Sequence, residues 1–223
     1  MEIVVNQKSY YRLPIKTHHI QFGEDVVFLV EKYVSPHFQP GDWLAISEKI
    51  VSVCQNNSRH ISTVKAGKLA KIITRFVKKY PKDIGYSRPE KMQVAIEEAG
   101  HARIFLAVIL GGITKPFRVR GIFWRVAGKR VSEIDGFVPG AMSPYDEYAI
   151  LPPKDPQKIS QEIENKLNIP CAIIDGNNIN VKIISQSKQM PFSKSFTRKI
   201  LLDNPMGQDQ EMTPFILVRE TKF

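Results

Sequence analysis

Two kinds of hydrophobic pattern alternate along this chain. Short apolar runs rich in valine and isoleucine predict buried β-strands, whereas apolar residues that recur every three or four positions predict amphipathic helices. Strands are predicted for "EIVV" at 2–5, for "WLAIS" and "KIVSV" around a polar break at 48–49, for "RIFLAVIL" at 103–110, "GIFWRVAG" at 121–128, "CAIID" at 171–175, "NVKIIS" at 180–185 and "PFILVR" at 214–219.

Helices are predicted for residues 24–34, 64–80, 87–100 and 154–170. In the third, Ser87 is the predicted cap and Gly100 the predicted end. The polar segment 185–198, rich in serine and lysine, predicts a mobile loop. Strands that alternate with helices predict an α/β (mixed α+β) fold, a mixed sheet flanked by helices. The clearest helix, 64–80, has a predicted apolar face of Leu69, Ile72, Ile73, Phe76, Val77 and Tyr80 and a basic side of Lys68, Lys71, Arg75 and Lys78.

The composition is that of a globular protein. A chain of 223 residues that is 43% hydrophobic predicts one domain over 1–223, with room for a small subdomain around 60–130. The longest apolar run, at 104–113, is too short to span a bilayer, and the N-terminus lacks the pattern of a signal peptide. Cys54 and Cys171 have no metal-ligand spacing, which favours buried free thiols and a cytoplasmic location.

Positive charge is concentrated in two stretches of the chain. The net charge is +10, and residues 59–91 hold ten Lys or Arg against two acids, while 115–130 hold six and no acid. The rest of the chain is slightly acidic. Such clustering indicates an anionic partner, which on this ground alone is a nucleotide, a phosphorylated substrate, a nucleic acid or a membrane surface.

The candidate chemistry lies in loop acids. Asp135 in "SEIDGFVPG", Asp175 in "IIDGNN" and Asp203 in "LLDNPMGQ" each lie beside small residues typical of turns. With the amide oxygen of Gln208 they also form the set of oxygen donors that Mg²⁺ prefers, provided that their loops converge. Turn formation alone explains each Asp taken singly, and the metal interpretation depends on convergence of the loops, so both interpretations stand at this point. The sequence contains no phosphate-binding loop with a terminal lysine and no nucleophilic elbow.

One segment resembles a known family. The stretch "YAILPPKDPQKISQEIENKLNIPCAIIDGNN" is similar to the part of the coenzyme F420-0:L-glutamate ligase family that reads "LLPPxDP", helix, strand and "TDTNG". Collinear with it, "LPIK", "PGDWLAISEKIVS", "IDG" and "MGQDQEMTPFILVRE" resemble further family motifs over nearly the whole chain.

The resemblance implies a ligase of coenzyme F420 biosynthesis. In that family GTP drives formation of an amide bond between the lactyl-phospho end of the coenzyme and the amine of glutamate, through an acyl phosphate. The implied cofactors are Mg²⁺ or Mn²⁺ and a monovalent cation such as K⁺, and the implied assembly is a homodimer. Carried over to this sequence, the metal ligands are Asp135, Asp175 and Gln208, with Asp203 as a further candidate. The implied nucleotide-binding residues are Leu13, Pro14, Ile15, Lys16, Glu48, Lys49, Met206, Gly207, Gln208, Asp209, Gln210 and Glu211.

The chain also departs from the family pattern. Val53 stands where the family has a lysine, "DGNN" replaces "DTNG", and the span between the "DGNN" turn and the closing "MG" loop is shorter than is usual in the family. These departures keep open an alternative of another class, a non-catalytic relative that binds nucleic acid or another polyanion through its basic 59–130 surface.

Overall fold

The computed structural model describes residues 1–77, 87–114, 121–137, 143–176, 180–207 and 211–221. The chain divides into two compact units. The first unit is built from Met1–Asn57 and Pro153–Phe223, and the second unit, Ser58–Pro152, is inserted between them.

Strands and helices are numbered here in chain order. The strands are β1 (Glu2–Val5), β2 (Lys8–Ile15), β3 (Trp43–Ser47), β4 (Ser58–His60), β5 (Asp135–Gly136), β6 (Tyr148–Ile150), β7 (Cys171–Gly176), β8 (Val181–Gln186) and β9 (Phe215–Thr221). The helices are α1 (Val26–Tyr33), α2 (Glu48–Cys54), α3 (Lys68–Phe76), α4 (Pro89–Ala99), α5 (His101–Thr114), α6 (Ile122–Ala127), α7 (Lys129–Ser132), α8 (Pro156–Leu167) and α9 (Lys194–Ile200).

The first unit is organised around a mixed six-stranded sheet in the order β1-β2-β9-β3-β7-β8. The β3–β7 pair is parallel, and the other pairs are antiparallel. The C-terminal strand β9 therefore lies in the centre, between β2 and β3. This arrangement confirms the mixed sheet flanked by helices that the alternating pattern predicts.

Both faces of this sheet are covered, which explains why its central strands are continuous apolar runs. Helix α1 contacts α2 and α8. Helix α2 contacts β3 and β7, α8 contacts β7 and β8, and α9 contacts β8 and β1. Tyr10 and Trp43 pack edge-on against Phe192, just before α9, with ring centroids 5.7 and 6.5 Å apart. The segment 185–198, predicted as a mobile loop, thus contributes an ordered aromatic contact to the core and part of α9.

The second unit is mainly helical. Helix α4 packs against α3, α5 and α7, and the small sheet β4-β6-β5 completes the unit. Its buried core includes Met92, Ile96, Ile104 and Phe137. Within the described residues, no helix is both long and apolar enough to cross a membrane.

Three predicted strands are helices in the structure. Residues of "KIVSV" belong to α2, "RIFLAVIL" lies in α5, and "IFWRVA" forms α6. A short apolar run has no periodicity that separates a strand from a helix, so these predictions were wrong for a physical reason. Gly100, with φ +84°, ends α4 and allows α5 to begin at the next residue.

Helix α3 is present but buries a different face from the one predicted. Ala70, Ile73 and Thr74 are buried, whereas Ile72 is 52% exposed and Phe76 is 77% exposed. The predicted apolar stripe is therefore wrong at those two positions, while Tyr80 and Lys78 lie outside the described residues. The cap of α4 is Arg88 and not Ser87.

Candidate functional site

Four connections of the first unit meet at one end of its sheet. Ile15 at the end of β2 and Ile46 near the end of β3 both pair with Phe215, the first residue of β9. Ser47 pairs with Ile174 of the parallel strand β7. The residues that follow β2, β3 and β7, and the loop that precedes β9, consequently lie at the same end of the sheet.

Backbone hydrogen bonds tie the sequence-predicted segments to one another. Thr17 N donates to Met212 O over 2.9 Å, which places Lys16 beside the loop before β9. Ser47 N donates to Pro214 O, also over 2.9 Å, so Glu48 and Lys49 at the start of α2 lie beside the same loop. The structure therefore brings together three segments that the resemblance assigns to nucleotide binding.

Asp175 reaches this end of the sheet at the close of β7. The next residue, Gly176, lies so close to Asn204 that an added Cβ would be 2.7 Å from Asn204 Oδ1. Asn204 is 5% exposed, its Nδ2 donates to Gly207 O over 3.1 Å, and its Oδ1 has no hydrogen-bond partner within the described part of the chain. Asn204 is thus a buried amide between the β7 end and the closing loop. Sequence reasoning missed it, although it stands in the quoted "LLDNPMG" stretch.

The closing loop is tightly turned around a glycine. Gly207 has φ +76°, and a Cβ there would lie 2.6 Å from Cδ of Glu211, so only glycine fits without strain. Thr213 Oγ1 donates to Met206 O over 2.6 Å and closes the turn. Met206, Gly207 and Glu211 are therefore at the predicted site. The remaining predicted residues of this loop, Gln208, Asp209 and Gln210, lie outside the described residues.

A cavity opens along the predicted nucleotide segment. It has a volume of about 310 Å³, within the range of ligand pockets. Two lysines line it, and no acidic side chain does so among the described residues. Its positive lining suits an anionic ligand. Its lining residues are Leu13, Pro14, Ile15, Lys16, Lys32, Tyr33, Pro36 and His37.

Asp203 has a partner of its own. Its carboxylate accepts two hydrogen bonds from Arg12, one of them from Nη2 to Oδ2 over 2.9 Å. The Arg12 hydrogen bonds hold the pKa of Asp203 below its usual value. A carboxylate already neutralised by a guanidinium is a weak metal ligand, so the structure gives Asp203 a structural role.

Asp135 belongs to the second unit. It pairs with Ile150 in the short β5–β6 ladder, and Gly136 beside it has φ +138°. An added Cβ at Gly136 would lie 2.0 Å from Tyr148 O, so the close approach of the two strands requires glycine there. The ladder fixes the backbone of Asp135.

The oxygen donors at the sheet end suit a hard cation only in part. Asp175 supplies a carboxylate, and the buried Asn204 Oδ1 is the amide oxygen that Mg²⁺ also accepts. Nevertheless, the described residues contain no group of three or more His, Cys, Asp or Glu side chains that could hold a metal ion. Phosphate oxygens and water would have to complete any such shell.

The fold is that of an α+β protein in which several loops meet at one end of a mixed sheet. A family model described as F420-0:Gamma-glutamyl ligase matches residues 14–195, which include most of both units. The chain belongs to this family. The match ends before Met206, so Met206, Gly207 and Glu211 are placed at this end of the sheet by their geometry alone. No curated protein matches the chain significantly.

Proposed function

We propose that this protein is an F420-0 gamma-glutamyl ligase that uses GTP and a divalent metal. The proposal rests on family membership together with one structural observation. Lys16, Glu48, Asp175 and the loop before β9, all distant along the chain, lie at one end of one sheet.

The nucleotide would occupy the cavity and the adjacent loops. Lys16 and Lys32 supply two positive charges against its phosphates, and Leu13 and Ile15 supply apolar contacts. The turn around Gly207 and the start of α2 lie next to this segment. This placement accounts for the basic lining of the cavity.

The metal, Mg²⁺ or Mn²⁺, would be held by Asp175 and Asn204 Oδ1, and K⁺ would accompany it. When bound, such an ion neutralises negative charge on phosphate oxygens. Asp203 is not part of this proposed set because Arg12 already neutralises it.

The proposed reaction has two steps. A carboxylate oxygen of the acceptor attacks the γ-phosphorus of GTP, the bond to the bridging oxygen breaks, and GDP leaves. The amine of glutamate then attacks the acyl carbon of the acyl phosphate, inorganic phosphate leaves, and the amine proton goes to water. Lysine charges that face the phosphates would stabilise the negative charge that develops during transfer.

Calorimetric titration with GTP in the presence of Mg²⁺ or Mn²⁺ tests the binding part. We expect metal-dependent binding by the wild type, and a loss of at least several-fold for Asp175→Asn. Glu220→Gln is the matched control, since it removes a carboxylate from the opposite end of the same sheet. Turnover is then tested as release of phosphate that requires both glutamate and F420-0. A wild-type protein that binds no nucleotide with either metal would end this proposal.

A polyanion-binding function is the second candidate. One observation favours it: α3 exposes Lys68, Lys71 and Arg75 together with Phe76, the combination of charge and ring that contacts single-stranded nucleic acid. Oligonucleotide affinity that falls steeply with salt, and falls further in Lys71→Ala, would support this function. Affinity that does not change with salt would exclude it.

A further inference from the structure

Three side chains of the first unit form a hydrogen-bonded chain that ends at the cavity. His18 Nδ1 lies 2.6 Å from the hydroxyl oxygen of Tyr33, and the two rings are stacked with centroids 5.7 Å apart. His18 Nε2 lies 3.0 and 3.1 Å from the two carboxylate oxygens of Glu24. Tyr33 is one of the residues that line the cavity, so these hydrogen bonds connect Glu24 through His18 to a cavity-lining side chain.

Glu24 sets the direction of these hydrogen bonds. Partial burial raises the pKa of Glu24, but hydrogen bonds from the Gln21 backbone amide and from His18 outweigh it, so the pKa lies below its usual value. An ionised carboxylate only accepts hydrogen bonds, and Nε2 must therefore carry a proton. When the imidazole is neutral, Nδ1 is then the acceptor, and the Tyr33 hydroxyl donates a hydrogen bond to it.

A tyrosine that donates to histidine keeps its oxygen lone pairs for another group. The Tyr33 oxygen can therefore accept a hydrogen bond from a ligand O–H or N–H. The same cavity has two lysines, and Lys32 Nζ lies 5.1 Å from the centre of the Tyr33 ring. A ligand that satisfies both features carries an anionic group and, close to it, a hydrogen-bond donor.

We propose that Tyr33 is a nucleotide-binding residue that accepts a hydrogen bond from a sugar hydroxyl while Lys16 and Lys32 face the phosphates. His18 and Glu24 are positioning residues that hold the Tyr33 hydroxyl in this orientation. The inference rests on the proposed function, because it takes the cavity ligand to be a nucleoside triphosphate. That ligand combines phosphate oxygens with sugar hydroxyls in one molecule.

The test compares GTP with 2′-deoxy-GTP and 3′-deoxy-GTP by calorimetry on the full chain with Mg²⁺. We expect Tyr33→Phe to weaken GTP binding by about 5- to 10-fold, the effect of one hydrogen bond. The same substitution should have no effect on the one deoxynucleotide that lacks the contacted hydroxyl. Tyr11→Phe is the matched control, since Tyr11 is an exposed tyrosine of β2 outside the cavity.

The positioning role has its own readout. His18→Ala and Glu24→Gln should weaken GTP binding in the wild-type background and have no further effect in the Tyr33→Phe background. A merely structural role would leave the effects additive. Suppose that the wild type binds GTP. If Tyr33→Phe then leaves the affinities for all three nucleotides unchanged, or lowers all three by the same factor, the inference is overturned and the proposed function stands. If the wild type binds no nucleotide, both are overturned.

Discussion

The ion pair between Arg12 and Asp203 joins β2 to the turn after α9, across 191 residues of sequence. The Arg12 side chain is only 3% exposed, and its Nη1 also donates to Ile200 O over 3.1 Å. Asp203 is 56% exposed. The pair therefore combines a buried cation with a carboxylate that is half in water. We predict that Asp203→Asn destabilises the first unit through the buried guanidinium that it leaves without a counter-ion.

Two known cases set the limits for the loss of stability in Asp203→Asn. Breaking a fully buried ion pair costs about 3–5 kcal/mol, whereas an exposed pair contributes about 0–1 kcal/mol. Because water reaches Asp203, part of the lost interaction is replaced by hydration, and asparagine keeps one acceptor oxygen. We therefore expect the free energy of unfolding to fall by about 2 kcal/mol.

The pH dependence follows from the direction of the pKa shift. Arg12 lowers the pKa of Asp203 in the folded state from its ordinary value of 3.8. The stabilisation is therefore complete above pH 3.8 and is lost as the pH falls through the lowered pKa. The difference between wild type and Asp203→Asn should be constant from about pH 5 to 8 and should shrink in strong acid.

Urea unfolding followed by tryptophan fluorescence measures this difference. Trp43 is 1% exposed in the first unit and reports its unfolding. Glu220→Gln is the matched control. The Lys8–Glu220 pair joins β2 to β9, but its side chains are 58% and 37% exposed, so its loss should have little effect on stability. If Asp203→Asn is no more destabilising than Glu220→Gln, the reasoning about the buried guanidinium is refuted.

Three further predictions concern packing and thiol chemistry. Gly136→Ala should destabilise the second unit by more than about 2 kcal/mol, because the new Cβ would overlap Tyr148 O. Gly112→Ala in α5 is the control: no atom lies within 4 Å of its new Cβ, so this substitution should stabilise the second unit by about 0.5–1 kcal/mol. Thermal unfolding of the two variants measures both effects. In the same assay, Ile73→Ala should lower the free energy of unfolding by about 2–5 kcal/mol, because Ile73 is buried. Ile72 is exposed, so Ile72→Ala should lower it by less than about 1 kcal/mol. Equal effects would contradict the observed orientation of α3. Burial raises the pKa of Cys54 and of Cys171 to about 12, so neither folded thiol should react readily with a disulfide reagent at pH 8, whereas both should react in urea. Since each thiol is raised from about 9, its contribution to stability is complete below pH 9 and lost as the pH rises toward 12.

The sequence predicts the first unit better than the second. In the first unit, β3 and β7 are buried on both faces, and such strands are readable as continuous apolar runs between turns. In the second unit, α5 is also a continuous apolar run, but its buried residues are only Ile104 and Ala107. The apolar pattern therefore indicates neither that this segment is a helix nor which of its faces is buried. The same limit explains α3, where Phe76 continues the apolar spacing and is nevertheless exposed.

In the candidate site, too, sequence motifs predict some residues, whereas others are identified only by their contacts in the structure. Lys16, Glu48 and Asp175 were predicted from motifs, and the sheet brings their segments to one end. Tyr33 and His18 were not predicted, because their relation is a 2.6 Å contact between a helix end and a loop, and no spacing in the sequence encodes it. Motif reasoning found the segments, and only the structure shows which side chains accompany them.

The two turns "AIIDGNN" and "LLDNPMG" show why similar sequences acquire different roles. Both place an Asp after an apolar run. Asp203, however, is bound by Arg12, a buried cation of β2 that needs a counter-ion wherever the chain provides one. The following residue, Asn204, is instead the one whose amide lies against Gly176, next to Asp175. The oxygen that the second turn brings to the end of β7 is therefore an amide and not a carboxylate. Asp175 itself is the carboxylate whose replacement we expect to affect metal-dependent binding.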